Sequence, residues 1–246
     1  EWISKILRHQ IEKNLEQNKQ ALLFINKRGY APVIVCKTCG HKITCKNCSS
    51  YLVEHLRSKN LLCHHCGFKL NSFKLECPEC KNENSNLIDY GVGIEKVYAE
   101  TSRLFPKAKI CMFSSDHIKS IDDISKKVNQ ILNHEYDIII GTQLITKGYH
   151  FPLLTCVGII DADMTLRGGD MRAAEKTYQL LYQVAGRAGR EDANGKVFIQ
   201  SYYPDNETIL SLKEMDRNKF YQTEIKYRKI SQLPPIGKMA AIILSG

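Results

Sequence analysis

The sequence has 246 residues, of which 43% are hydrophobic, and it carries a formal net charge of +9 at pH 7. A chain of this length can bury a full core and hold one α/β domain with a small insertion. No apolar run approaches the length needed to cross a bilayer, so composition argues against an integral membrane protein and we expect a soluble one. The chain begins at Glu1 and runs apolar from Met239 to Gly246, and we therefore expect a fragment of a longer protein.

Hydrophobic spacing predicts an alternation of helices and strands along most of the chain. An amphipathic helix is predicted over residues 3–18, and a buried strand over 21–25 is followed by a polar turn at 26–30. A short apolar stretch at 33–35 leads into a cysteine-rich segment, and a polar linker at 81–85 leaves it. The later predicted elements are strands at 87–90, 109–113, 137–141, 155–160 and 196–201 and helices at 93–104, 121–134 and 172–183. Short apolar strands that alternate with amphipathic helices predict a parallel sheet covered by helices on both faces.

Eight of the ten cysteines form four Cys-x-x-Cys pairs, at 36/39, 45/48, 63/66 and 77/80. Two such pairs supply one tetrahedral zinc site, so four pairs predict two all-cysteine sites. A disulfide framework or scattered core thiols is the alternative, but disulfides do not need this repeated spacing. Reduced, metal-bound cysteines favour the cytoplasm as the location.

Spacing alone leaves the partners of the cysteine pairs open. Fourteen residues separate Cys48 from Cys63, which is close to the separation in zinc ribbons. If the second and third pairs share one metal, the first and last pairs share the other, which is a nested arrangement. Sequential and interleaved pairings stay open. His41, His64 and His65 are candidate substitute ligands that we expect to lie exposed or beside the metal. The two remaining cysteines, Cys111 and Cys156, fall in predicted strands and are expected to be core residues.

Zinc binding would also change the charge balance. Eight thiolates add −8 and two Zn²⁺ ions add +4, so the net charge of the metal-bound chain would be near +5. The remaining basic residues are not clustered, and charge alone is therefore weak support for a nucleic-acid partner.

Two loops carry residue types suited to binding phosphates. The first, Gly-Thr-Gln-Leu-Ile-Thr-Lys-Gly-Tyr-His-Phe-Pro at 141–152, leaves the end of a buried strand. Ligands of open parallel sheets gather at that edge, although an ordinary βα loop can look similar. The second, Gln-Val-Ala-Gly-Arg-Ala-Gly-Arg at 183–190, closes a helix and holds Arg187 and Arg190 three residues apart. Guanidinium groups so placed suit phosphate recognition, and two solvated arginines are the plainer alternative.

These segments resemble motifs of superfamily 2 helicases. Residues 183–190 look like motif VI, residues 141–152 like motif V, and Leu-Leu-Phe-Ile-Asn-Lys-Arg-Gly-Tyr at 22–30 like motif IV. Four Cys-x-x-Cys pairs between motifs IV and V narrow the resemblance to the primosomal protein N′ family of bacterial replication-restart helicases. Asp-Met-Arg-Ala-Ala-Glu at 170–175 and Leu-Pro-Pro at 233–235 also fit, and the resemblance covers essentially the whole chain.

The resemblance implies an ATP-dependent 3′-to-5′ DNA helicase that recognises stalled or branched forks and restarts replication through primosome assembly. The implied partners are forked or single-stranded DNA, primosome proteins and single-strand-binding proteins. The implied fold is the second RecA-like helicase lobe at 1–35 and 81–230, with a zinc-binding insertion at 36–80. Residues 231–246 would begin a truncated C-terminal domain.

The site residues implied by the resemblance fall into catalytic, nucleotide, DNA and metal groups. Arg187 and Arg190 would approach the γ-phosphate of ATP, which is bound with Mg²⁺ in the full-length protein. The other implied contacts are Gln183, Gly148 and His150 for ATP and Arg28, Thr142 and Gln143 for DNA. The implied zinc ligands are nested, with Cys36, Cys39, Cys77 and Cys80 for zinc 1 and Cys45, Cys48, Cys63 and Cys66 for zinc 2. The chain departs from the usual family pattern at Lys27, at Ile94 and at the Ser-Ser-Asp of 114–116.

The sequence contains no Gly-x-x-x-x-Gly-Lys-Ser/Thr phosphate loop. A lobe that supplies arginines without a phosphate cradle completes an ATP site rather than making one. We therefore expect the isolated chain to lack ATPase activity, and we do not assign Asp161 and Asp163 to Mg²⁺. Two alternative hypotheses are a non-catalytic zinc module that recruits DNA or protein partners and another superfamily 2 translocase that acts on RNA.

Overall fold

The structure is a computed structural model, and it describes residues 1–26, 33–36, 38–39, 41, 43–48, 52–55, 60–63, 66–71, 77–81, 87–90, 93–115, 117–118, 120–146, 148–163, 166, 171–188 and 195–240. The helices are α1 Lys5–Glu16, α2 Ile94–Leu104, α3 Ile121–Leu132, α4 Ala173–Ala185, α5 Glu207–Lys213 and α6 Arg217–Ile230, with a short 3-10 helix at Gln143–Thr146. The strands are β1 Gln20–Ile25, β2 Val33–Cys36, β3 Val53–His55, β4 Asn60–Leu62, β5 Lys69–Asn71, β6 Leu87–Tyr90, β7 Ile110–Phe113, β8 Ile138–Gly141, β9 Leu154–Ile160 and β10 Lys196–Ile199.

Five strands form a parallel sheet in the order β10-β9-β1-β8-β7. The central strand β1 is buried along its whole length. Its alternate residues point to opposite faces, since Leu22 packs in one apolar cluster and Leu23 in the other. Helices α1 and α2 cover the Leu23 face, and helices α3 to α6 cover the Leu22 face. The predicted α/β lobe with helices on both faces is confirmed.

Polar side chains fix where the surface helices begin. The Ser4 side chain accepts a hydrogen bond from the backbone N–H of Leu7 at the start of α1. Helix α3 begins with a capping box, in which Ser120 and Asp123 each accept from the other's backbone N–H. Such caps satisfy N–H groups that have no partner within the helix, and each stabilises its helix by about 1 kcal/mol.

The cysteine-rich segment forms a second, antiparallel sheet in the order β5-β4-β3-β2-β6. Its own small core contains Ile34, Ile43, Leu52 and Leu61 together with two of the cysteines. The strand predicted at 87–90 forms, but it pairs antiparallel with β2 and does not join the parallel sheet. The apolar run was correctly assigned as a strand, whereas its partner depends on the fold of the insertion.

The C-terminal helices α5 and α6 are absent from the predicted elements. Helix α6 packs on α4 through Phe220, whose ring stacks on that of Tyr178 with centroids 4.0 Å apart. Its other buried residues are charged, Glu224 and Arg228, so hydrophobic periodicity does not mark this helix. Among the helices of the described ranges, none combines the length and hydrophobicity that crossing a bilayer requires.

Candidate zinc sites and phosphate-binding edge

The eight paired cysteines gather into two groups of four. One group contains Cys36, Cys39, Cys77 and Cys80, and the other contains Cys45, Cys48, Cys63 and Cys66. Within each group the sulfur atoms all lie within 4.8 Å of one another. This is the nested arrangement, in which the outer group joins the entry and exit of the insertion and the inner group lies within it.

The sulfur separations fit a tetrahedral ion and exclude disulfides. The closest pairs are 3.5 and 3.7 Å apart in the outer group and 3.4 and 3.5 Å apart in the inner group. Zinc–sulfur bonds of about 2.3 Å place the ligands of a tetrahedron about 3.8 Å apart, whereas a disulfide bond is about 2.05 Å long. Both groups therefore have the donor set and the size of a four-cysteine metal site.

Backbone N–H groups donate hydrogen bonds to sulfurs in both cysteine groups. The N–H of Cys39 makes the largest contribution among several hydrogen bonds that lower the pKa of the Cys36 thiol to about 6. By contrast, the N–H of His41 lowers the pKa of Cys39 less than desolvation and hydrogen bonds with the other sulfurs raise it, to about 12. In the inner group the N–H of Asn47 donates to the sulfur of Cys45 at 3.4 Å. Since the thiolate is the form that binds metal, the hydrogen bonds to Cys36 favour the binding-competent state of that ligand.

The other candidate ligands that the structure describes are not members of either group. His41 is half-buried with its ring near the Glu79 carboxylate, at 3.9 Å, and it is not a member of either four-atom group. His64 and His65 lie outside the described residues. Cys111 and Cys156 are buried strand residues in the two faces of the lobe core, as expected. Burial raises the pKa of each of these two thiols to about 12, which keeps them neutral.

The predicted motif V begins at the carboxyl end of β8, an inner strand of the parallel sheet. Gly141 is the last residue of that strand, and the 3-10 helix at Gln143–Thr146 follows it directly. The Thr142 N–H donates to the Phe113 carbonyl at the end of β7, which fixes where the loop leaves the sheet. Gly148 has a φ of +27°, a backbone conformation that side chains with a Cβ rarely adopt. The loop thus turns sharply at the edge where parallel sheets bind ligands.

Arg187 joins the predicted motif VI to this loop. It follows the C-terminal end of α4 and is 9% exposed. Its guanidinium donates to the carbonyl oxygens of Thr146 and Tyr149, one on each side of residue 147. The segment 183–190 and the segment 141–152 are therefore in contact, and the arginine that joins them is buried.

The remaining residues that are predicted to contact nucleotide or DNA differ in how exposed they are. Gln183, Gly148 and His150 are exposed, and Thr142 and Gln143 are half-buried. The Gln143 amide donates to the Asn26 side chain at 3.3 Å, which connects the motif V loop to the end of β1. Arg28 and Arg190 lie outside the described residues. Nucleotide or DNA contact by each of these residues stays a prediction.

Sequence analysis missed two polar groups at the same edge of the sheet. Asn26, which directly follows β1, is buried and was assigned only to a polar turn. The Asp163 carboxylate accepts from the Ser201 hydroxyl at 2.7 Å and from the Tyr202 N–H at 2.6 Å. Asp163 therefore anchors the chain after β10. Only the position of each residue just after a buried strand hinted at these roles.

Comparison with known proteins matches both parts of the chain. A family model described as the PriA DNA helicase Cys-rich region (CRR) domain matches residues 45–70. The chain is 51% identical over 245 residues to the replication restart protein PriA of Rickettsia prowazekii, covering 100% of this chain and 38% of that protein. The replication restart protein PriA of Bacillus subtilis is 36% identical over 239 residues, covering 97% of this chain and 29% of that protein.

More distant proteins match as well. The replication restart protein PriA of Haemophilus influenzae is 34% identical over 240 residues, covering 98% of this chain and 32% of that protein. Among solved structures, the crystal structure of Pyrococcus furiosus Hef helicase domain matches 85% of this chain and 27% of that chain, with 11% identity and a TM-score of 0.39. The chain spans less than two fifths of the length of the three relatives named above. Similarity at 34–51% identity confirms the predicted resemblance: over essentially its whole length the chain is similar to a segment of the proteins named replication restart protein PriA.

Proposed function

We propose that this chain is the second RecA-like lobe, with its zinc insertion, of an ATP-dependent 3′-to-5′ DNA helicase that restarts replication at stalled or branched forks. The lobe comprises residues 1–35 and 81–230, the insertion residues 36–80, and a further domain begins at 231–246. Forked or single-stranded DNA, primosome proteins and single-strand-binding proteins are the proposed partners, and the cytoplasm is the proposed location. Similarity to proteins named replication restart protein PriA supports these assignments.

The observation that carries the proposal is the contact of Arg187 with the loop at 141–152. Two segments far apart in sequence meet at the carboxyl edge of a parallel sheet, where nucleotides bind in this class of fold. One of the segments brings a guanidinium group and the other a glycine-containing turn. The contact holds the guanidinium at this edge, and stabilising phosphate charge during ATP hydrolysis would require Arg187 to exchange the two loop carbonyls for phosphate oxygens.

In the proposed active site, Arg187 and Arg190 face the γ-phosphate of ATP. Gln183, Gly148 and His150 line the nucleotide side of the cleft, and Arg28, Thr142 and Gln143 contact the DNA backbone. Bound ATP and Mg²⁺ supply the reacting phosphates and their counter-charge. The phosphate cradle would come from the part of the relatives' length that this chain does not span, so the isolated chain would lack DNA-stimulated ATPase activity.

We also propose that each cysteine group holds one Zn²⁺, so that the chain binds two. The donor set and the sulfur separations of both groups support zinc. When bound, zinc would offset half of the charge of the four thiolates in each group and hold the insertion together. The insertion would then support unwinding and partner assembly without taking part in ATP hydrolysis.

The proposed function is tested by ATP turnover of the full-length protein on forked DNA. Arg187→Ala and Arg190→Ala are each expected to reduce turnover by on the order of 10³-fold or more, because they remove charge that stabilises the transition state. Arg103→Ala, at an exposed arginine of α2, is the matched control and should retain full turnover. Intact hydrolysis in both active-site variants would refute the proposal and favour a non-catalytic zinc module. Stimulation by RNA duplex rather than forked DNA would indicate an RNA translocase instead.

A further inference from the structure

Arg228 of α6 lies at the centre of a buried polar cluster that joins three segments of the chain. It is 5% exposed. Its Nε donates to Glu224 at 2.8 Å on the same helix, and its Nη2 lies 3.2 Å from both the Glu175 carboxylate and the Met171 carbonyl. Its Nη1 donates to the carbonyl of Pro234, in the segment that follows α6. One guanidinium group therefore ties the start of α4 to the segment after α6.

The planar fork of an arginine is required for this arrangement. Three guanidinium nitrogens reach acceptors on different segments at the same time, which a lysine ammonium at the end of a flexible chain cannot reproduce. Hydrogen bonds between charged groups are stronger than neutral ones, and they resist rearrangement when they are buried. The cluster therefore holds the segments at 171–175 and 234 in one relative position.

Helix α4 connects this cluster to the proposed catalytic edge. Glu175 lies in its first turn, and Arg187 follows its last residue. A helix of 13 residues is about 20 Å long and behaves as a rigid rod. Its far end is held by the hydrogen bonds from Arg187 to the loop at 141–152. Each end of α4 is thus anchored by a buried arginine, one at the candidate active site and one at the Arg228 cluster.

We propose that Arg228 and Glu175 are positioning residues for Arg187, so that the position of the segment after α6 controls the placement of Arg187. This inference rests on the proposed function, because it explains how Arg187 is held in position at the proposed ATP site. The stacked rings of Tyr178 and Phe220 already hold α4 against α6 near its middle. The ion pair between Arg228 and Glu175 also restricts sliding of α4 along its axis and rotation about that axis. The ring contact alone restricts these movements less.

Glu175→Gln in the full-length protein is the sharpest test. Arg228 keeps its ion pair with Glu224 at 2.8 Å, so the change removes the charged link to Glu175 without depriving the buried guanidinium of a counter-charge. We expect kcat for ATP on forked DNA to fall about tenfold, since small displacements of catalytic groups are costly, while KM for ATP changes less than twofold. The matched control is Glu214→Gln, which removes an exposed carboxylate–lysine pair at 2.8 Å beside α6 and should leave kcat within twofold.

Combining Glu175→Gln with Arg187→Ala shows whether the first residue acts through the second. If it does, adding Glu175→Gln to Arg187→Ala lowers kcat no further, since the group being positioned is gone. A kcat within twofold of wild type for Glu175→Gln, an equal loss in Glu214→Gln, or an additional tenfold loss in the double variant would overturn the positioning role. Those outcomes are distinct from failure of the proposed function, which would appear as full turnover in Arg187→Ala itself.

Discussion

Removing cysteine pairs two at a time should reveal which pairs share a metal. If the nested arrangement is correct, replacing the first and last pairs together (Cys36, Cys39, Cys77 and Cys80 to Ala) destroys one site and leaves one zinc per chain. Replacing the first and second pairs together (Cys36, Cys39, Cys45 and Cys48 to Ala) destroys both sites and leaves none. Sequential pairing predicts the reverse, and interleaved pairing predicts no zinc in either variant.

The sequence separations within the two groups set the size of the stability effect. Cys36 and Cys80 are 44 residues apart, and Cys45 and Cys66 are 21 apart. Treating each metal as a cross-link that restricts the unfolded chain gives about 4 kcal/mol for the outer loop and about 3 kcal/mol for the inner loop. Among the residues that the structure describes, six form the buried core of the insertion, which is small for independent stability. Losing one zinc should therefore unfold much of the insertion while the parallel-sheet lobe remains folded.

The assay combines metal analysis with thermal unfolding of the purified chain. Wild type should contain two zincs per chain, and the variant that lacks the first and last pairs should contain one. The main unfolding transition of the lobe should keep its midpoint to within a few degrees in both variants. One zinc in the variant that lacks the first two pairs would refute the nested assignment, and about one zinc in wild type would refute the two-site assignment.

Two further predictions concern the lobe core. Gly158→Ala should lower the free energy of unfolding of the lobe by about 1–3 kcal/mol in denaturant titration, because a Cβ there would lie 2.6 Å from a methyl group of the fully buried Leu7. The control is Gly93→Ala, whose Cβ would meet only the end of the Glu95 side chain. An equal loss of stability in that variant would contradict the overpacking argument. Native protein treated with chelator should expose eight thiols to an alkylating reagent at pH 8, and denatured protein ten, because burial raises the pKa of Cys111 and Cys156 from 9.0 to about 12. These two thiols stay protonated in the folded state and ionise above pH 9 in the unfolded state, so the free energy of unfolding should fall as the pH rises beyond 9. Ten reactive thiols in the native protein would contradict the burial of Cys111 and Cys156.

The inner strands β9, β1 and β8 were predictable because burial on both faces leaves a continuous apolar run. The strand predicted at 155–160, for example, is β9 at Leu154–Ile160. The strands β3, β4 and β5 have three residues each, too few for a periodic signal. Helix α6 buries Glu224 and Arg228, which in a sequence resemble a solvated helix face.

The two candidate sites were visible in the sequence to different degrees. Metal ligands repeat at a spacing that the chemistry itself imposes, so the cysteine positions were evident before the fold was known. The hydrogen bonds of Arg187 to Thr146 and Tyr149 join segments about 40 residues apart and depend on how the sheet brings them together. The roles of Asn26 and Arg228 depend on their burial by tertiary packing, and no local sequence pattern indicates that burial.

The antiparallel pairing of β2 with β6 means that the insertion leaves and re-enters the lobe at one place. Val33 is paired with Tyr90, and Cys36 with Leu87. The order of the five parallel strands therefore does not depend on what lies between these two ends, as with a domain inserted at a surface loop. Evolution can enlarge, trim or exchange such an insertion while the surrounding architecture is kept. A turn that joins β2 directly to β6 would be the smallest form of the same design.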